Sequence, residues 1–328
     1  MQTLFIDTQE GQLGKKDERL IFKNYSTGEE RDIKILDIHD IVVLGRATIT
    51  TPAIHLLMEK KVPVHYVGLD GKYKGSIIPA LGKNINLRIL QYKLDSGKKL
   101  ELSKLFIAGK VKNQITMLFR WQKNYGIRLE EEIEQIKKIK KKLPSAQDIA
   151  ELMGYEGAIS KIYFEGFKKV LPPEFCFEER NRRPPRDVVN ALLSFTYTIF
   201  LTQCITGAFL SGLDPYFGYL HSNVYGRPAL ALDLLEEIRP VADAFVLSLL
   251  RNEQLNNENF ENKFGGVYLT DEGRRTFLRK IRDRLERQSS HILMKGNITF
   301  QKTVYLQFKV LVKYLIGDIE RYIPLTYK

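Results

Sequence analysis

Residues 212–240, GLDPYFGYLHSNVYGRPALALDLLEEIRP, set one histidine after a turn and, a few residues on, three carboxylates along an amphipathic helix. Leu213-Asp214-Pro215 is turn chemistry, and Gly218 and Gly226 bracket His221. The histidine is therefore expected on a connection between helices. Pro228 suits the first turn of a new helix. Leu232, Leu235, Ala242 and Phe245 form its apolar stripe, while Asp233, Glu236 and Glu237 stand three and four residues apart and are expected on one face. Carboxylates this close repel one another unless a cation or a basic partner neutralises them. Imidazole combined with carboxylates suits Mg²⁺ or Mn²⁺ acting on phosphate, whereas zinc prefers cysteines or several histidines. The plain alternative is a solvated helix face that happens to lie near a histidine.

Working outward, residues 191–213 contain no charged residue over 23 positions and follow Arg180, Arg182, Arg183 and Arg186, as a membrane-spanning helix with a positive flank would. Nine of the 23 are Ser, Thr, Gln or Gly, and the stretch ends at the turn that delivers His221. It reads instead as a helix buried inside a helical domain, and no membrane crossing is expected. Upstream, in residues 149–167, Gly154 is expected to end one helix and Glu156-Gly157 to start the next, with Ile159, Ile162, Tyr163 and Phe167 as its buried stripe. Glu156 is the best candidate for a ligand supplied from elsewhere in the chain; its plain alternative is an N-terminal acid favoured by the helix dipole. Residues 4–78 hold short apolar or alternating runs separated by Gly, Asp and Lys, with one helix at residues 52–60, and the period turns helical from about Asn84. The expected fold is α+β: a small β-rich domain, residues 1–83, followed by a larger all-α domain, residues 84–328, that carries the chemistry. His39, His55 and His65 in the first part, and His291 in what reads as a basic helix, show no paired spacing and are read as structural.

Taken together, Glu156-Gly157 with Tyr163, residues 190–195 (NALLSF), Gly212-Leu213-Asp214-Pro215 with His221-Ser222, and Asp233-Leu234-Leu235-Glu236 with Arg239-Pro240 resemble a known family. It is the CRISPR-associated integrase and endonuclease that inserts new spacers during adaptation. Four spaced motifs in the right order span nearly the whole chain. The resemblance implies a β domain followed by a helical catalytic domain, and one divalent metal held by a glutamate, a histidine and an acid. Carried over, these are Glu156, His221 and Glu236, with Asp233 as a supporting acid or alternate ligand and Glu237 expected to face solvent. It also implies a homodimer pairing through the β domain, two such dimers bridged by a small ferredoxin-like CRISPR-associated companion into a heterohexamer, and DNA that is double-stranded, branched or ended by a 3′-hydroxyl.

Composition agrees. The chain has 328 residues, 44% of them apolar, and Lys plus Arg exceed Asp plus Glu by 51 − 39 = 12, with a pI near 9.4, a balance that favours a polyanionic partner. Cys176 and Cys204 lie far apart and no signal peptide precedes Thr3, so a reducing cytoplasm is the expected compartment. Two basic stretches are candidates for phosphate. Residues 180–186, RNRRPPR, present Arg180, Arg182, Arg183 and Arg186 on a proline-held loop, and residues 274–287 carry six Arg and one Lys on a helix. A divalent ion held by two carboxylates and an imidazole polarises a phosphoryl oxygen and activates water for nicking or a 3′-hydroxyl for joining. No phosphate-cradling GxxxxGK[ST] is present, which fits an exchange that spends no ATP. Two other classes remain open on the same residues: a nuclease for branched repair intermediates, and a non-enzymatic DNA-binding protein whose acids and histidine are structural.

Overall fold

The computed structural model describes residues 2–80, 82, 84–181, 184–263 and 265–327. The first part is built from two four-stranded sheets. One contains β1 (Gln2–Thr8), β5 (Ile38–Gly45), β7 (Val64–Val67) and β8 (Tyr73–Ile77) in the order β1-β5-β7-β8; β1, β5 and β7 are parallel and β8 is antiparallel. The other contains β2 (Gly11–Lys16), β3 (Arg19–Asn24), β4 (Glu30–Lys34) and β6 (Thr48–Ile49) in the order β4-β3-β2-β6. Helix α1 (Thr51–Glu59) joins them, opened by the Thr50 side chain, which accepts from Ala53 N, and by a proline in its first turn. Leu13, Leu20, Ile41, Val43 and Leu57 close a small core between the sheets.

From residue 84 the chain is mostly helical. α2 (Ile85–Tyr92), α3 (Ser96–Tyr125), α4 (Glu130–Lys140), α5 (Ile149–Val170), α6 (Val188–Leu210), α7 (Ala229–Arg251), α8 (Asp271–Glu286) and α9 (Phe300–Leu315) enclose a second, larger core. Side-chain caps start most of them: Asp95 accepts from Lys98 N, Asp148 from Glu151 N, and Asp187 from Asn190 N. The long α3 stops at Gly126, whose φ of 67° is left-handed. α6 is long and apolar enough to cross a membrane, but most of it is buried, packed against α7 and α9, as expected of a core helix.

Buried polar bonds tie the two parts together. Thr3 Oγ1 donates to Asp40 Oδ1 (2.7 Å), Gln203 Nε2 of α6 donates to Asp40 Oδ2 (2.8 Å), and Gln301 Nε2 of α9 donates to Thr3 Oγ1 (2.6 Å). His65 is fully buried between Ser76 Oγ (2.6 Å) and Thr206 Oγ1 (2.7 Å), and burial lowers its pKa to about 4. Its structural role matches the reading from sequence.

Four details differ from that reading. α5 runs unbroken through Gly154, because one glycine costs only about 1 kcal/mol in a helix, and Leu152, Ile159, Tyr163 and Phe167 keep one continuous buried stripe across it. The second part is not all helix: β9 (Phe260–Lys263) and β10 (Gly266–Leu269) form an antiparallel hairpin around Gly265, whose φ is 74°. His291 follows α8 rather than lying in it, and its Nε2 meets Gln307 Oε1 at 3.1 Å. Within the stretch read as β-rich, the apolar run at residues 33–38 is not one strand but the end of β4, a turn of 3₁₀ helix, Ile35–Asp37, and the first residue of β5.

Candidate active site

Three helices and one loop converge on the predicted residues. α3 contributes Lys110, α5 contributes Glu156, α7 contributes Asp233, Glu236 and Arg239, and the loop between α6 and α7 contributes His221. That loop comes close to α7 because residue 218 is glycine: a Cβ there would lie 2.7 Å from the carbonyl carbon of Ala229 and 2.9 Å from Asp233 Oδ2. Asp233 is fully buried and uses both oxygens to hold the loop. Oδ2 accepts from the backbone N–H groups of Tyr219 (2.6 Å) and Leu220 (3.1 Å), and Oδ1 accepts from His221 N (2.9 Å). The same Oδ1 lies 2.8 Å from His221 Nδ1. A carboxylate only accepts, so Nδ1 carries a proton and Nε2 is the ring atom left to meet an ion. Nε2 stands 3.7 Å from Glu236 Oε1.

Glu236 is buried among cations. Its Oε2 lies 2.7 Å from Lys110 Nζ and its Oε1 lies 3.0 Å from Arg239 Nε. Both contacts are ion pairs; neither Oε2 nor Arg239 Nε has a well-aligned hydrogen bond. Burial pushes the carboxyl up, but Arg239, Lys110 and His221 outweigh it and hold its pKa at about 2. Lys110 Nζ also pairs with Glu156 Oε1, which accepts in addition from Ser160 Oγ (2.7 Å). A cleft of about 580 Å³ opens beside this cluster, lined by Lys110, Glu156, Ser160, Arg180, Arg239 and Asp243.

Asp233, Glu236 and Glu237 do not share a task. Asp233 fastens the loop, Glu236 faces Lys110 and Arg239, and Glu237 turns away to the C-terminal segment. The expectation that Glu237 faces solvent is wrong: it is fully buried, accepting from Tyr322 OH at 2.9 Å and Leu325 N at 2.8 Å. Successive helix positions differ by about 100° in direction, so Glu236 and Glu237 cannot both face the site. Burial raises the Glu237 carboxyl to about 8. Pro240 removes the N–H that would bond the carbonyl of Glu236, and Asn113 Nδ2 donates to the next carbonyl, that of Glu237 (2.8 Å).

Sequence reasoning missed Lys110, Arg239 and Asp243 as parts of the site. Lys110 had a signal: it falls in the buried 3–4 spacing of Ser103, Phe106, Ile107, Val111, Gln114 and Met117, where a lysine has no place unless something pairs with it. Asp243 accepts from Tyr163 OH (3.0 Å) and pairs with Tyr197 OH; burial raises its pKa to about 6. Of the candidate phosphate residues, Arg180 is fastened to the start of α6 by Asn190 Oδ1 (2.6 Å) and Ser194 Oγ (3.0 Å), and lies over the Tyr197 ring. Arg186 is exposed, and Arg182 and Arg183 lie outside the described residues. In the second stretch, Arg274 is buried against Asp7 (2.9 Å), Arg284 lies over the Phe300 ring, and Arg275, Arg279 and Arg282 are exposed.

Residues 4–283 match the family model described as CRISPR associated protein Cas1. The chain belongs to the Cas1 family. CRISPR-associated endonuclease Cas1 3 of Thermus thermophilus is 38% identical over 293 residues, 88% of this chain and 86% of that protein. CRISPR-associated endonuclease Cas1 2 of Thermodesulfovibrio yellowstonii is 31% identical over 329 residues, 98% of each. A casposase solved bound to its integration product has the same fold, with a TM-score of 0.90 over 100% of this chain and 95% of its own, at 24% identity. The resemblance drawn from the four motifs is therefore correct, and with it the α+β class and the reading of this Cas1-family chain as a CRISPR-associated enzyme that acts on DNA.

Among the described residues, no three His, Cys, Asp or Glu side chains already stand as a ready-made cation cage. The donor chemistry nonetheless fits a hard divalent ion: an imidazole whose Nε2 is turned outward by the hold of Asp233 on Nδ1, a strongly ionised Glu236, and Glu156 across Lys110 from it. Lys110 Nζ stands where a cation shared by the two glutamates would stand.

Proposed function

We propose that this chain is the divalent-metal-dependent DNA endonuclease and integrase of CRISPR adaptation, with Glu156, His221 and Glu236 as its metal ligands and Mg²⁺ or Mn²⁺ as the ion. The observation that carries the ligand assignment is the arrangement of His221 on Asp233: with Nδ1 bound to the buried carboxylate, Nε2 is left as a donor 3.7 Å from Glu236. Asp233 is then a positioning acid, since its oxygens are taken by the backbone of residues 219–221. Bound there, the ion would polarise a phosphoryl oxygen and acidify an attacking water or DNA 3′-hydroxyl.

The chain's own residues supply the rest. Arg239, stacked over Tyr197, lies at the edge of the cleft with its charge opposed by Glu236 and is placed to meet a phosphate oxygen. Arg186, with Arg182 and Arg183 beside it in sequence, is the candidate backbone contact; Arg180 holds that loop on α6. The same arrangement serves water for cutting or a 3′-hydroxyl for joining, and joining replaces one phosphodiester with another without an external energy source.

The partners follow from the family. We take residues 1–83 as a dimerisation unit and residues 84–328 as the catalytic unit. A duplex held at both ends needs two sites, hence a homodimer, with a small ferredoxin-like companion bridging two dimers into a heterohexamer in the cytoplasm. The test is incubation with a supercoiled plasmid carrying a CRISPR repeat, a short 3′-hydroxyl duplex and Mn²⁺. Joined product supports the reading; cutting of branched DNA without any joining favours a repair nuclease, and neither reaction favours a binding protein.

A further inference from the structure

Lys110 is the least expected member of the site. It lies on the apolar face of α3 and is 6% exposed, yet its ammonium contacts carboxylates from two other helices, Glu156 on α5 and Glu236 on α7. Before any ion enters, Lys110 already opposes the charge of both glutamates and Arg239 that of Glu236. A divalent ion between Glu156 and Glu236 would meet the ammonium at contact distance in a poorly screened site, and that repulsion is strong. It is relieved if the flexible lysine stem swings away and the ammonium finds another anion. The cleft gives it room, since Lys110 lines the same 580 Å³ as Ser160 and Arg239.

We propose that Lys110 is a partner-switching cation: it holds Glu156 and Glu236 together in the absence of metal, yields them to a divalent ion, and then pairs with a phosphate of bound DNA. Metal and DNA thereby raise each other's affinity, because the phosphate accepts the ammonium that the metal displaces. The inference rests on the assignment of Glu156 and Glu236 as metal ligands. It differs from a fixed ion pair in direction: a structural lysine supports the site, whereas a competing lysine weakens metal binding until DNA arrives.

The test is a binding cycle on the full chain, read by Mn²⁺ titration calorimetry with and without a short duplex. The wild-type protein is expected to bind Mn²⁺ about tenfold more tightly when the duplex is present, within the usual range of site-to-site coupling. Lys110→Met and Lys110→Gln, checked for folding by circular dichroism, are expected to bind Mn²⁺ at least about fivefold more tightly than wild type without DNA and to gain little from adding it. Folded variants that bind Mn²⁺ no more tightly than wild type overturn the inference. So does a wild-type Mn²⁺ affinity that the duplex leaves unchanged, a result that decides the matter even if neither variant folds. Glu156→Gln separates the two levels of the argument: Mn²⁺ binding equal to wild type in that variant removes the ligand assignment itself.

Discussion

His221 and Asp233 are joined twice, through the backbone N–H of His221 and through its ring Nδ1, both meeting Oδ1 of one buried carboxylate. The histidine is thus fixed in position and in tautomer by a residue twelve positions further along the chain. This relationship ties residues 219–221 of the loop to α7 at the site.

Asp233→Asn should therefore damage the loop before it damages the chemistry. The amide cannot accept at both ends, so at least one of the buried N–H groups of residues 219–221 loses its partner, at a cost of about 1–3 kcal/mol. A lowered melting temperature together with a Mn²⁺ affinity reduced about 10–100-fold is the expected pair of results. Unchanged melting with complete loss of metal would make Asp233 a ligand instead.

Glu156→Gln, His221→Ala and Glu236→Gln should each lower cutting and joining by about a hundredfold or more, equal to about 3 kcal/mol of barrier. His221→Ala should melt modestly lower, because the buried Asp233 carboxylate loses the ring N–H and keeps only its backbone donors. Glu236→Gln should melt lower, because Lys110 and Arg239 are left buried with less opposing charge. Plasmid nicking and strand-joining assays, run beside thermal melts, check both halves.

Glu237 gives a pH prediction. Its folded carboxyl is raised from the ordinary 4.5 to about 8 by burial, so between those values the folded state binds a proton that the unfolded state has released. Stability from this group is complete below pH 4.5 and is lost as pH rises toward 8. Glu237→Gln keeps the neutral form at every pH. Its melting temperature should gain on wild type steadily from pH 5 to 8, and a constant difference across that range would show that Glu237 is ionised in the fold.

The arginine loop divides into two roles. Arg186→Ala should leave stability within about 0.5 kcal/mol of wild type and reduce the salt slope of log K for duplex DNA by about 0.9. Arg180→Ala should do the reverse, melting lower because Asn190, Ser194 and the Tyr197 ring lose their common partner. Salt titrations of DNA binding, set against melts, separate the two.

Much of the local structure around this site is legible in the sequence. Glycines and a proline around His221 forecast its loop, Pro228 forecast the start of α7, and the change from strand to helix spacing forecast where β8 ends at Ile77 and α2 begins at Ile85. What stayed hidden depends on contacts distant in sequence. Glu237 looks like its neighbour Glu236 until the C-terminal segment, some 85 residues on, places Tyr322 OH against it. Gly154 reads as a break because local propensity opposes helix there, while the stripe from Leu152 to Phe167 buries enough surface to override it. Lys110 is set apart from Lys112 and Lys123 by its place in the apolar spacing of α3, but the carboxylates it pairs with, on α5 and α7, are distant in sequence.

The central claim is that the imidazole of His221 binds the same ion as Glu156 and Glu236. Pulsed EPR of the Mn²⁺-loaded protein reads it directly, because a coordinated ring nitrogen couples to the metal. The account predicts a ¹⁴N modulation in the wild-type protein that disappears in His221→Ala. A wild-type spectrum without that coupling, or a variant that retains it, would contradict the account.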